Sequence, residues 1–337
     1  MTAAKALPAD LIDSLLSGYK KLEDLIGENG LLKQFTKAFV ERVLDAEMQA
    51  HLGSVKILDM IMNPLIATNQ LHELLNSDAN VLICDCRFDL AQASAGRKAY
   101  AKGHIPGAIY VDLESDLSGS KTGTNGRHPL PNPDDWAATR QRLGIGSDSH
   151  VIAYDSQGSA YASRLWWMLR AIGHDKVQVL DGGLDSWKGQ ISTIIVAPAP
   201  LEIKPKPVTY QGLVLLDEII DNLASQRRTV IDARSSDRFH GQNETLDPVA
   251  GHIPGSLNRF FNSNLEGSTF KSPEILGKEF SGLLGNTHPS DVIHSCGSGV
   301  TACHNLLAME CAGLSGSLLY AGSWSEWCAD PKRPVEI

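Results

Sequence analysis

The residues best suited to chemistry stand together in Ser295-Cys296-Gly297-Ser298-Gly299-Val300-Thr301-Ala302. A cysteine at the head of a small-residue loop is a nucleophile if its thiolate is favoured. It can then attack an electrophilic atom and carry a covalent intermediate. The neighbouring sequence supplies what that requires. Asp291-Val292-Ile293-His294 reads as a buried strand, and the apolar run from Cys303 to Ala312 reads as a helix. Strand, loop and helix together bring the first loop side chain beneath converging backbone N–H groups and the positive end of the helix dipole. Gly297 and Gly299 leave the backbone free to approach a bound group closely. Gly297, Gly299, Val300 and Thr301 are therefore expected to line the place where a substrate sits.

Composition narrows the field. A chain of 337 residues exceeds one ordinary core and suits two domains and an extra segment. Apolar content of 42% with 20% charged residues is that of a globular protein. A net charge of −9 argues against a general nucleic-acid binder and against a membrane-surface protein. No apolar run approaches the ~18–20 residues of a membrane span, and no signal peptide is visible at the start. Six cysteines without framework spacing suit a reducing compartment, so a cytoplasmic location is expected.

Residues 1–61 differ from the rest. Leu11, Leu15 and Leu16, then Leu31, Leu32, Phe35, Phe39, Val40, Val43 and Leu44, recur at helical spacing and predict amphipathic helices. From Met62 the chain repeats itself. Val81-Leu82-Ile83-Cys84-Asp85-Cys86-Arg87 is matched by Thr229-Val230-Ile231-Asp232-Ala233-Arg234. Gly103-His104-Ile105-Pro106-Gly107 is matched by Gly251-His252-Ile253-Pro254-Gly255. Strand-like and helical runs alternate within each copy, which predicts two α/β domains with mostly parallel sheets. Residues 62–197 and 211–337 are the expected domains, joined by a Pro- and Lys-rich linker over 198–210. At the loop position the first copy carries Asp155 where the second carries Cys296, so only the second copy is expected to react covalently.

These motifs, in this order, resemble the tandem-domain rhodanese and 3-mercaptopyruvate sulfurtransferase family. The resemblance rests on the duplicated Asp-x-Arg and Gly-His-Ile-Pro-Gly elements, the Cys-Gly-Ser-Gly-Val-Thr loop and Gly322-Ser323-Trp324-Ser325-Glu326-Trp327. It implies that Cys296 takes a sulfur atom as a persulfide and passes it to cyanide, a thiol or a thioredoxin-like acceptor. It implies that Arg238 binds the small anionic donor and that no metal or organic cofactor is needed. Neutral Gly297 and Ser298 after the cysteine resemble the mercaptopyruvate pattern, with Ser298 assisting proton movement; thiosulfate-preferring members carry Arg and Lys there. Against this, Glu244-Thr245-Leu246-Asp247-Pro248-Val249-Ala250 lacks the second arginine usual in mercaptopyruvate enzymes. His104 is a candidate proton relay, suggested by related enzymes, with a structural hydrogen bond from its ring as the equal alternative, and Trp324 and Trp327 are expected near the cleft mouth. Asp232 and Arg234 are expected to fix the strand end by an ion pair.

Other classes fit less well. A phosphatase with this fold needs an arginine after five residues to clamp phosphate, and that position is Ala302. A non-catalytic sulfur-carrier or interaction module is a different class, which a missing cysteine would have favoured; here Cys296 is present. The stretch from Leu25 to Gly53 resembles the start of mutator-type insertion-sequence transposases. Residues 1–61 carry seven basic and nine acidic side chains and so offer no phosphate-binding patch. They are expected to be a fusion remnant.

Overall fold

The computed structural model describes residues 63–77 and 79–337. The helical segment read over residues 1–61 lies outside these.

The first repeat runs β1 (Leu65–Ile66), α1 (Thr68–Leu75), β2 (Val81–Asp85), α2 (Ser94–Lys102), β3 (Ile109–Tyr110), α3 (Pro133–Leu143), β4 (His150–Tyr154), α4 (Ala162–Arg170), β5 (Val177–Leu180) and α5 (Gly183–Ser186). The second runs β6 (Leu213–Val214), α6 (Leu216–Ser225), β7 (Thr229–Asp232), α7 (Ser236–Phe239), β8 (Leu257–Asn258), the hairpin β9 (Leu265–Glu266) and β10 (Thr269–Phe270), α8 (Pro273–Leu284), β11 (Val292–Ser295), α9 (Ala302–Cys311), β12 (Leu318–Tyr320) and α10 (Ser323–Trp327).

Each repeat forms a five-stranded parallel sheet. The orders, β1-β5-β4-β2-β3 and β6-β12-β11-β7-β8, are the same topology twice. The central strands β4 and β11 are buried along most of their length, as parallel strands covered on both faces must be. Local signals set several helix ends. Asn132 and Ser272 accept N–H bonds from Asp135 and Ile275 at the starts of α3 and α8, each followed by Pro at the first helical position.

The duplicated motifs explain one another. Arg234 clasps Asp232 through Nε and Nη2, with the shortest contact at 2.7 Å, and Nη2 also donates to the Gly251 carbonyl at 2.7 Å. Arg87 does the same with Asp85 and the Gly103 carbonyl. Asp-x-Arg therefore ties the end of the second long strand to the Gly-His-Ile-Pro-Gly turn, which satisfies a buried charge on both sides.

Helices α4 and α9 each bury their first eight residues on every face. They pack against one another, and one apolar cluster runs through both, including Leu165, Met168, Leu306 and Met309. A helix apolar all round belongs in a core. The join between the repeats is core-like, so the loops leading into α4 and α9 are held at a fixed spacing. Trp324 and Trp327 are fully buried, not at a cleft mouth. Both pack into the cluster that includes Ile253 and Tyr320, because the indole N–H groups find carbonyl partners at Val249 and Pro334.

Candidate active site

Cys296 follows the last residue of β11, the middle strand of its sheet, at the carboxyl edge where open α/β sheets place ligands. Its Sγ accepts the Gly299 N–H at 3.1 Å, so the loop curls back over the sulfur. Gly299 adopts φ +74°, and a Cβ there would collide with the Ala321 carbonyl, so only glycine closes this curl. The 322–325 turn fastens the loop from outside. Trp324 N–H donates to the Cys296 carbonyl at 3.0 Å, Ser325 N–H donates to the Gly297 carbonyl at 2.9 Å, and Ser323 Oγ accepts the Cys296 N–H at 3.0 Å.

The sister loop shows what such a cradle holds. Asp155 is fully buried, and its carboxylate accepts N–H groups from Gln157, Ser159, Tyr161 and Ala162 at 2.8–2.9 Å. Burial pushes its pKa upward, and the four donors pull it back. Four N–H groups converging on one buried anion are a built anion site, occupied here by the protein's own side chain.

Across the join, Ser298 Oγ lies 2.8 Å from Nδ1 of His128, and His128 Nε2 lies 3.2 Å from Glu114 Oε1. Burial holds His128 down at about 4, a loss that Glu114 only partly offsets, with Arg164 also disfavouring the charged ring. The imidazole is neutral at neutral pH. A carboxylate accepts only, so Nε2 carries the hydrogen and Nδ1 accepts from the Ser298 hydroxyl. Burial raises Glu114, but Lys121 and His128 outweigh it and keep the carboxyl below its ordinary range. Serine, imidazole and carboxylate thus form a hydrogen-bonded chain from beside the cysteine to the surface.

His104 lies elsewhere. It is fully buried, stacked on Tyr100 at 4.0 Å, with ring nitrogens 2.7 and 3.0 Å from the Tyr100 and Ile194 carbonyls. It lines no part of the cavity at Cys296 and bonds neither Cys296 nor Ser298, whereas His128 meets the Ser298 hydroxyl. Sequence reasoning missed His128 and Glu114. The available signal was an asymmetry: residues 111–132, between β3 and α3, form a longer connection than residues 259–272 in the other repeat.

A cavity of about 280 Å³ opens over Cys296, lined by Arg127, Arg234, Arg238, Gly297, Ser298, Val300 and Thr301 among others. Arg238 meets Glu244 at 2.9–3.0 Å and Asp247 at 3.3 Å. Arg164 is fully buried at the join and donates to the carbonyls of Gly299, His128 and Leu117 at 2.9, 3.1 and 3.3 Å. It has no carboxylate partner among the described residues, so its charge adds to the positive field beneath the loop.

A family profile described as "Rhodanese-like domain" matches residues 67–190 and again 215–330. The chain belongs to the tandem rhodanese-like sulfurtransferases. Among relatives, the "Probable 3-mercaptopyruvate sulfurtransferase" of Pseudomonas aeruginosa is 42% identical over 280 residues, covering 80% of this chain and 97% of that protein. The "Thiosulfate/3-mercaptopyruvate sulfurtransferase 2" of Arabidopsis thaliana is 35% identical, covering 81% of this chain and 86% of that one. Among solved structures, the 3-mercaptopyruvate sulfurtransferase from Leishmania major superposes with a TM-score of 0.71 at 30% identity, over 80% of this chain and 75% of that one.

Proposed function

We propose that this sulfurtransferase moves sulfur from 3-mercaptopyruvate, through a persulfide on Cys296, to a thiol or cyanide acceptor. The observation that carries the donor choice is the Ser298–His128–Glu114 chain beside the cysteine. Thiosulfate delivers a sulfur with no proton to relocate. Mercaptopyruvate has one: its thiol proton must leave the sulfur, and the carbon that loses the sulfur must gain one.

The reaction balances as follows. The Cys296 thiolate attacks the donor sulfur, forming the S–S bond, while the C–S bond breaks and its electron pair passes to the pyruvate enolate. The donor's thiol proton is taken up and returned to the enolate carbon, leaving pyruvate and an anionic persulfide. Ser298, polarised by neutral His128, is placed to shuttle that proton; such acid–base help contributes about 10²–10⁴-fold. Loop N–H groups hold the persulfide anion, as their counterparts hold Asp155. An acceptor thiolate or cyanide then attacks the outer sulfur and restores the Cys296 thiolate.

A second reading has support of its own. Arg127, Arg234 and Arg238 all line the cavity, and that many cations suit the thiosulfate dianion too. Steady-state kinetics with both donors separate the two, and a higher kcat/KM for thiosulfate overturns the first. Cys296→Ser is expected to abolish transfer from either donor with an unchanged melting temperature; persisting turnover would sink the covalent scheme.

The expected domain bounds of 62–197 and 211–337 stay with this reading, as does a cytoplasmic location. No helix among the described residues is long and apolar enough to cross a membrane. Residues 1–61 lie outside both profile matches.

A further inference from the structure

We propose that Arg164, on α4 of the repeat that carries Asp155, is a positioning residue that sets the Ser298 hydroxyl and the His128 imidazole at hydrogen-bonding distance. The proposal rests on the sulfurtransferase reading above and on its relay. Arg164 Nη1 donates to the Gly299 carbonyl at 2.9 Å, and Nη2 donates to the carbonyls of His128 at 3.1 Å and Leu117 at 3.3 Å. Gly299 directly follows Ser298, and Leu117 lies with His128 on the connection between β3 and α3. One planar guanidinium therefore braces both partners of the 2.8 Å Ser298–His128 contact through the backbone beside them.

Gly299 is held on both sides. Its N–H donates to Cys296 Sγ at 3.1 Å, while its carbonyl takes the Arg164 bond and the Cys303 thiol at 3.4 Å. The sister loop has the same device with a neutral donor. Gly158 stands three residues after Asp155, as Gly299 stands three after Cys296, and both adopt positive φ, +64° and +74°. The Gly158 carbonyl accepts a bond from Nε2 of His304, on α9 of the other repeat, at 2.9 Å. Burial holds the His304 ring down at about 4, so it is uncharged at neutral pH. Each loop glycine is thus held by a helix of the opposite repeat, but the loop with the cysteine is held by a permanent charge that also reaches the relay.

Packing alone does not ask for that charge. Arg164 is fully buried, meets no carboxylate among the described residues and leaves its Nε without a partner. A buried charge answered only by carbonyl dipoles is unfavourable, and an apolar side chain would suit a helix whose neighbours here are Leu165, Trp166 and Met168. What the guanidinium provides in return is span: two forked nitrogens that reach the cysteine loop and the relay at once.

The test uses the full chain with Arg164→Met, Arg164→Lys and His128→Gln, singly and combined. Steady-state kinetics with 3-mercaptopyruvate separate kcat from KM. Loss of the brace is expected to lower kcat by about 10–100-fold in Arg164→Met with KM within a few-fold, because small misplacements of a reacting group carry that cost. In the His128→Gln background the same substitution is expected to lower kcat by a further factor of about three at most, since the relay it serves is already gone. Arg164→Lys keeps the charge but cannot span two carbonyls, so it should lose several-fold in kcat. If Arg164→Met does not fold, the same pairing with Arg164→Lys decides the matter. Losses that multiply in the double variant overturn the proposal and leave the sulfurtransferase reading intact, as does an unchanged kcat in a folded single variant. An unchanged kcat in His128→Gln overturns the relay and this proposal together. A wild-type chain active with thiosulfate alone overturns the donor reading and, with no proton left to move, this proposal too.

Discussion

The Ser298 hydroxyl and the His128 imidazole stand 2.8 Å apart across the join between the two repeats. The loop that carries Cys296 therefore depends on the repeat whose own loop carries Asp155 in the cysteine's place. The first repeat does more than wall the cleft, because it supplies the group that orients the Ser298 proton.

His128→Gln is expected to lower kcat with 3-mercaptopyruvate by about 10²–10⁴-fold and to leave KM within a few-fold. The acid side of the wild-type profile follows from the same residue. With His128 held at about 4, it accepts from Ser298 throughout the neutral range, and activity declines as pH falls towards that value. A profile of kcat against pH checks both, and an acid limb near pH 6.5 would contradict this account.

Asp155→Ala is expected to destabilise the chain by about 3–5 kcal/mol, because it strands four N–H groups in a sealed site. Asp155→Asn, which keeps the acceptor oxygen, should cost less. Urea unfolding of the two variants measures the difference. Equal losses would show that the carboxylate charge, and not the pairing of donors, matters.

His294 tests the acid stability of the core. It is fully buried beside Met309, its Nδ1 has no partner, and burial first, then Arg259, hold it down to about 3. The unfolded chain takes up that proton near 6.5, before the folded chain does, so stability rises with pH in this interval. The contribution is complete above about pH 6.5 and drains away towards pH 3. His128 and His304, both at about 4, act in the same direction. The melting temperature of His294→Leu relative to wild type is therefore expected to climb as pH drops from 7.5 to 4.5. A difference that stays flat over that range would refute the assignment.

Read from its residues alone, the chain determined the duplication and the sheet class and singled out Cys296 as the candidate nucleophile. The loop around the Cys296 sulfur is one contiguous run, 296 to 301, and its sequence signals are local: a sulfur, small neighbours, a strand before and a helix after. The Asp232–Arg234 ion pair was equally legible, since both partners share one strand end. His104 stayed open between two roles for the opposite reason. A histidine in Gly-His-Ile-Pro-Gly can face a cleft or a neighbouring ring, and only the packing against Tyr100 and the Ile194 carbonyl decides which. Glu114, Arg127 and His128 were invisible because what they do depends on partners in the other repeat or across a long connection. His128 meets Ser298 over 170 residues of sequence, and Arg127 meets Asp247 over 120. No local periodicity records such a meeting. Burial of α4 against α9 fixes the two sheets in one orientation, and that orientation brings a serine, a histidine and three arginines around Cys296.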